Sequence, residues 1–63
     1  MENRLKDIIK DKGCKQTWIA EKVGVSKVVV SMWANNRRQP NGIHLIKLSE
    51  ALNCEAREIY YGD

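Results

Sequence analysis

Residues 16 to 33 read Gln-Thr-Trp-Ile-Ala-Glu-Lys-Val-Gly-Val-Ser-Lys-Val-Val-Val-Ser-Met-Trp. The order of small, apolar and turn-forming residues is that of two short helices meeting at a steep angle. Helices that cross closely need a small residue where their axes approach, and Ala20 stands there. The turn between them needs a residue that tolerates positive φ, and Gly24 supplies it. Ile19 and Val23 give the first helix, Gln16 to Val23, an inner face; Val25 adds an apolar residue in the turn; Val30 and Trp33 line the second helix. Ser26 is a good N-cap for that second helix, which runs to about Ala34. The triplet Val28-Val29-Val30 favours a strand when taken alone. With no partner run elsewhere in the chain it cannot build a sheet, so it is read as helix.

Working outward, Leu5, Ile8 and Ile9 fall at i, i+3 and i+4 within a charged stretch from Glu2 to Lys12, and Gly13 closes that helix. Asn35 to Gly42 is a loop holding the only proline. Leu45, Leu48 and Leu52, with Ile46 and Ala51 beside them, mark a fourth helix ending near Asn53, and a last turn spans Glu55 to Tyr61. Five helices with no repeats and no low-complexity segment place the chain in the all-α class.

The 63 residues allow one domain, 1–63, with one binding face and little room for an enzyme cleft. The longest apolar run, Val28 to Val30, is far short of the roughly 20 residues that cross a bilayer. The start, Met1-Glu2-Asn3-Arg4, lacks the apolar segment of a signal peptide. A small, soluble, intracellular domain is the expectation. In that setting Cys14 and Cys54 are expected as reduced, buried small hydrophobes. His44 is the only histidine and no Cys-x-x-Cys spacing exists, so no metal and no cofactor is expected. Neither can a Ser/Cys–His–acid constellation be assembled, which argues against an enzyme.

Charge is uneven. Of a net +3, Lys15, Lys22, Lys27, Arg37 and Arg38 lie between residues 15 and 38 against a single acid, Glu21, and the rest of the chain is slightly acidic. Such a patch is a solvated face or an electrostatic footprint for a polyanion. Charge alone does not separate nucleic acid from an acidic protein or a membrane surface. The cations are split between short helices and a loop, which does not fit a membrane-bound amphipathic helix.

The window 16–33 resembles the helix-turn-helix of the lambda-repressor-like (Xre/Cro) family of DNA-binding domains, and the resemblance extends over nearly the whole chain. Gln16-Thr17-Trp18-Ile19-Ala20 is similar to the family's Gln-x-x-Leu-Ala opening. Leu5, Ile8 and Ile9 match its first helix, and Leu45, Leu48, Ala51, Leu52 and Ile59 match its last two. The resemblance implies a compact five-helix domain whose second motif helix enters the major groove while the first crosses the phosphate backbone. Two positions depart from the pattern. Lys15 stands where an N-capping Ser or Thr is usual, which implies a weaker cap. Trp18 takes a place often held by Glu, and is read as covering the edge of the core or a neighbouring helix rather than stacking on a base.

At about 100° per residue, with the buried seam between Val30 and Trp33, Val28 points almost directly away from the core. Ser31 and Met32 flank it on the outer surface and Lys27 lies on its N-terminal shoulder. By resemblance, Lys27, Val28 and Met32 stand at the family's main base-reading positions, and Ser31 on the same outer surface joins them in the expected base-reading set, with Lys27 donating to guanine O6/N7 and Val28 meeting a thymine methyl. The bland reading of Val28 and Met32 is a small apolar patch for protein contact. With few amide side chains on this helix, site preference is expected to lean on methyl contacts and DNA shape.

Gln16 lies at a helix N-terminus, which favours a phosphate oxygen. In the family this Gln also props a recognition-helix side chain, here Lys27. Lys15, Thr17, Ser26, Asn35, Asn36, Arg37 and Arg38 complete the expected backbone-binding set. The resemblance implies a transcriptional regulator, repressor or Cro-like, that occupies a palindromic operator in double-stranded DNA as a homodimer. Its setting is a bacterial cytoplasm, phage- or host-encoded and nucleoid-associated when bound, with no membrane partner. The rival readings are an antitoxin of the same fold that also caps a toxin, and a protein-interaction module. Ile59-Tyr60-Tyr61 either supplies dimer contacts or closes the core.

Overall fold

The structure, a computed structural model, describes residues 2–60. The helices are α1 (Leu5–Lys12), α2 (Gln16–Val23), α3 (Lys27–Ala34), α4 (Gly42–Leu52) and α5 (Ala56–Tyr60), with no strand among the described residues. The valine triplet is helical, as expected. α2 and α3 pack on each other, α4 packs on α2, and α1 and α5 close the remaining sides.

One helix-ending device recurs four times. A left-handed residue follows each of α1 to α4, at the C-cap in α1, α2 and α4 and one residue beyond it in α3: Gly13 (φ 67°), Gly24 (φ 86°), Asn36 (φ 59°) and Asn53 (φ 52°). After each, the next residue's N–H reaches back five positions: Cys14 to the Ile9 carbonyl, Val25 to Ala20, Arg37 to Met32, Cys54 to Ser49. These bonds occupy carbonyls that a helix end otherwise leaves open. A side chain added at Gly24 meets nothing within 4 Å, so the glycine answers to backbone conformation and not to crowding.

α1 begins at Leu5, three residues later than the charge pattern suggests. The reason is hydrogen bonding: the Asn3 side-chain oxygen accepts from Leu5 N–H and the Arg4 N–H donates to the Ile59 carbonyl, so residues 3 and 4 are drawn out of the helix.

The core gathers Leu5 and Ile9 of α1, Ile19, Ala20 and Val23 of α2, Val30, Trp33 and Ala34 of α3, Leu48 and Leu52 of α4, and Ile59 of α5, all buried. Each large aliphatic side chain so enclosed contributes about 1.5–3 kcal/mol. Trp33 is the largest of them, and the His44 ring packs against it at 5.2 Å, tilted by 45°. Ile59 is fully buried and the Tyr60 hydroxyl donates to the Pro40 carbonyl at 3.1 Å, so both close the fold. Tyr61 lies outside the described residues. No helix among the described residues is long and apolar enough to cross a membrane.

Candidate nucleic-acid interface

The N-terminus of α2 is bare. Lys15 has the extended backbone of an N-cap (φ −96°, ψ 144°) but its side chain accepts no hydrogen bond, so the first N–H groups of α2 have no side-chain acceptor. Lys15, Gln16, Thr17 and Lys27 line one open notch there. Free N–H groups, the positive end of the α2 dipole and two ammonium groups all favour an anion in that notch. Gln16 is half-buried; the other three are exposed.

α3 is anchored in the opposite manner. Ser26 Oγ accepts from Val29 N–H at 3.3 Å, an N-cap that holds the first turn. The serine proton remains available to an outside acceptor. From this turn Val28 stands 66% exposed, the most exposed large apolar side chain among the described residues, with Lys27 exposed beside it. The helical phase read from the sequence therefore places Val28 outward, as expected.

The rest of the expected base-reading set sits differently. Ser31 and Met32 are half-buried rather than standing on the outer surface. The Asn35 amide donates to the Ser31 carbonyl at 2.9 Å and to its hydroxyl at 3.4 Å. The Met32 carbonyl accepts from both Arg37 and Arg38 N–H. The turn after α3 thus folds back on the helix's last turn, leaving Lys27 and Val28 as the side chains that stand clear.

That turn also sorts the expected backbone-binding residues. Arg37 and Arg38 are exposed and, among the described residues, pair with no acid. Asn36 is instead turned into the protein: its Oδ1 accepts from Asn3 N–H at 2.7 Å and from Gln39 Nε2 at 3.1 Å. It is a helix-ending residue in the left-handed conformation, and its side chain is engaged within the fold. Asn3, which the sequence pattern passes over, is 6% exposed and is the only buried polar residue described. Its one local partner is Leu5 N–H, and the others, 30 to 36 positions along the chain, leave no signal in the local sequence.

Trp18 is 39% exposed, with Lys22 Nζ 5.7 Å from its ring centroid, and shares a shallow cleft with Lys47, Glu50 and Ala51 of α4. It covers the α2–α4 seam. Cys14 and Cys54 are free thiols, half-buried against the core. Burial, followed by the nearby Glu58 carboxylate, raises the Cys54 thiol above its ordinary value, and Lys12 partly offsets this. No three His, Cys, Asp or Glu side chains gather among the described residues where a metal ion can be held.

Two short helices joined at a left-handed glycine, the second capped and presenting an exposed apolar edge beside a cationic notch, define a helix-turn-helix domain. The chain belongs to the helix-turn-helix family, matching it over residues 5–59, and within it to the lambda-repressor-like (Xre/Cro) group. It is 39% identical over 49 residues to repressor protein C2 of Salmonella phage P22. That stretch covers 78% of this chain but 23% of the repressor, so the chain spans less than a quarter of that relative's length. The structure of the P22 c2 repressor in complex with a synthetic operator superimposes with a TM-score of 0.87 at 35% identity, covering 95% of this chain and 91% of that one. The restriction-modification controller protein from Aeromonas hydrophila superimposes with a TM-score of 0.82 at 28% identity, covering 90% and 86% of the two chains.

Proposed function

We propose that this chain reads a specific sequence in double-stranded DNA and regulates transcription by occupying an operator, as a repressor or Cro-like protein. The observation that carries the reading is Val28: a β-branched apolar side chain, 66% exposed, on the first turn of a capped helix and next to an exposed lysine. An α-helix with its side chains, about 10–12 Å across, fits a major groove about 12 Å wide. Seated there, Val28 meets a thymine methyl and Lys27 donates to guanine, while the notch at Lys15, Gln16 and Thr17 takes a backbone phosphate. Arg37 and Arg38 take phosphates farther along, with Asn35 and Ser26 at the margins.

The similarity to a phage repressor solved on its operator supports this reading, as does the controller protein's shared fold. A protein of this kind works on DNA in the bacterial cytoplasm, on host or phage sequence. It binds as a homodimer, at least on DNA, since two-fold operators mirror two-fold proteins. A catalytic role is not assigned, because His44 is packed against Trp33 and belongs to the fold.

Selection of bound duplexes from a random-sequence pool at near-physiological salt tests the proposal. The expected result is an enriched inverted repeat with half-sites about ten base pairs apart, centre to centre. Weak binding that salt erases, with no enriched motif, refutes it and points to a protein partner, as for an antitoxin.

A further inference from the structure

Asn3 uses every polar atom it has. Its N–H donates to Asn36 Oδ1 (2.7 Å), its Nδ2 donates to the Trp33 carbonyl (2.9 Å) and to Gln39 Oε1 (2.8 Å), and its Oδ1 accepts from Leu5 N–H (2.9 Å). Asn36 Nδ2 donates back to the Asn3 carbonyl at 3.4 Å, and Gln39 Nε2 donates to Asn36 Oδ1 at 3.1 Å. Asn3, Asn36 and Gln39 thus form a closed ring, joined between Asn3 and Asn36 through the main chain of residue 3, and the two residues enclosed between Asn36 and Gln39 along the chain are Arg37 and Arg38. Their own N–H groups are fixed as well, both on the Met32 carbonyl.

We propose that Asn3 is a positioning residue for DNA binding: it holds the turn 36–39 so that Arg37 and Arg38 face the phosphate backbone already ordered. The inference rests on the DNA-reading function proposed above. A non-glycine residue in the left-handed region is uncommon, and Asn36 at φ 59° is held by the main chain of residue 3, which the Asn3 side chain in turn fixes on the Trp33 carbonyl and on Gln39. Left unheld, the turn samples other conformations, and binding must then order two arginines and their backbone at the expense of affinity. The chemistry also specifies an amide at position 3. Its nitrogen must donate twice, to a carbonyl and to an amide oxygen, which neither aspartate nor serine can do.

The test separates positioning from bare stability by measuring operator affinity against salt for folded protein. Asn3→Ala is placed in the wild-type chain and in an Arg37→Ala/Arg38→Ala background, at a temperature where circular dichroism shows every variant folded. Positioning predicts a roughly tenfold weaker complex and a log K–log salt slope shallower by about one to two, since each lost phosphate contact removes about 0.9. Site preference stays unchanged, and Asn3→Ala adds no further loss when both arginines are already absent. Gln39→Ala, at an exposed position, removes the two bonds that Gln39 makes in the ring but leaves Asn3 on the Trp33 carbonyl; it gives a smaller loss of the same kind and serves if Asn3→Ala does not fold. The proposal is overturned if affinity and slope hold while only the melting temperature falls, or if the loss is equal in both backgrounds. A wild-type chain that selects no sequence refutes the underlying function instead, before any variant is compared.

Discussion

At Val28 an exposed valine gains nothing from the fold it belongs to, so its value lies in what it touches outside. Val28→Ala removes two methyls from a solvent-facing position and is expected to leave stability within about 0.5 kcal/mol. On the preferred operator it is expected to cut discrimination at one thymine position by roughly tenfold, within the range of about 1–3 kcal/mol for a single base-pair preference. Repeating the duplex selection with the variant checks this, and an unchanged motif removes Val28 from the reading set. Cys54 gives a second residue-level expectation. Burial and Glu58 raise its thiol, so the fold favours the protonated form. That preference stabilises the protein below the ordinary thiol value of about 8.5 and is lost as pH rises through the raised folded value. In a Cys14→Ala background, the midpoint of the alkylation rate against pH is expected to lie higher in native protein than in denaturant. Equal midpoints refute it.

Among the helices, α2 and α3 differ in one respect: α3 has its N-cap serine and α2 has a lysine in that place. The bare end of α2 costs stability and leaves donors open to an anion, so the two effects should trade against each other. Lys15→Ser is expected to stabilise the fold by about 1 kcal/mol, raising the melting temperature by roughly 4–8 °C. The same change removes a cation and occupies an α2 N–H, so operator affinity should fall and the salt slope should shrink by about one. Thermal melts and salt titrations read both arms, and a variant no more stable than wild type sinks the argument. The motif elements themselves were legible in the sequence because their signals are local. Gly24 closes α2, Ser26 opens α3, and the phase of Val28 follows from helical arithmetic. The structural part of Asn36 was not legible for a related reason: among Asn35, Arg37 and Arg38 it has the composition of a phosphate-binding loop, while its bond to Asn3 spans 33 positions. Ser31 and Met32 were placed by phase, which gives the face a side chain lies on but not how deeply it is buried, and both are half-buried.

For the whole molecule, the consequence of size is that one copy reads little. On the proposed reading, an eight-residue α3 with two side chains standing clear covers a few base pairs, so a specific operator is expected to take a second copy. The described protein is 27 Å along its longest axis, and successive major grooves on one face of DNA lie about 34 Å apart. Two copies in adjacent grooves can therefore meet through a small surface without leaving their grooves. α4 offers one: Ile43 and Ile46, three residues apart, are 63% and 57% exposed and serve no part of the core. Replacing both with lysine is expected to leave the affinity for a single half-site nearly unchanged and to abolish cooperativity on the inverted repeat, weakening the full complex by at least tenfold. For wild type the salt slope on the full operator should be about twice that on a half-site, since on the proposed reading each copy brings Lys15, Arg37 and Arg38 to the phosphates. Gel-shift titrations on both duplexes, with sedimentation to count the copies bound, decide the matter. Cooperativity that survives the double substitution places the contact between copies elsewhere on the molecule.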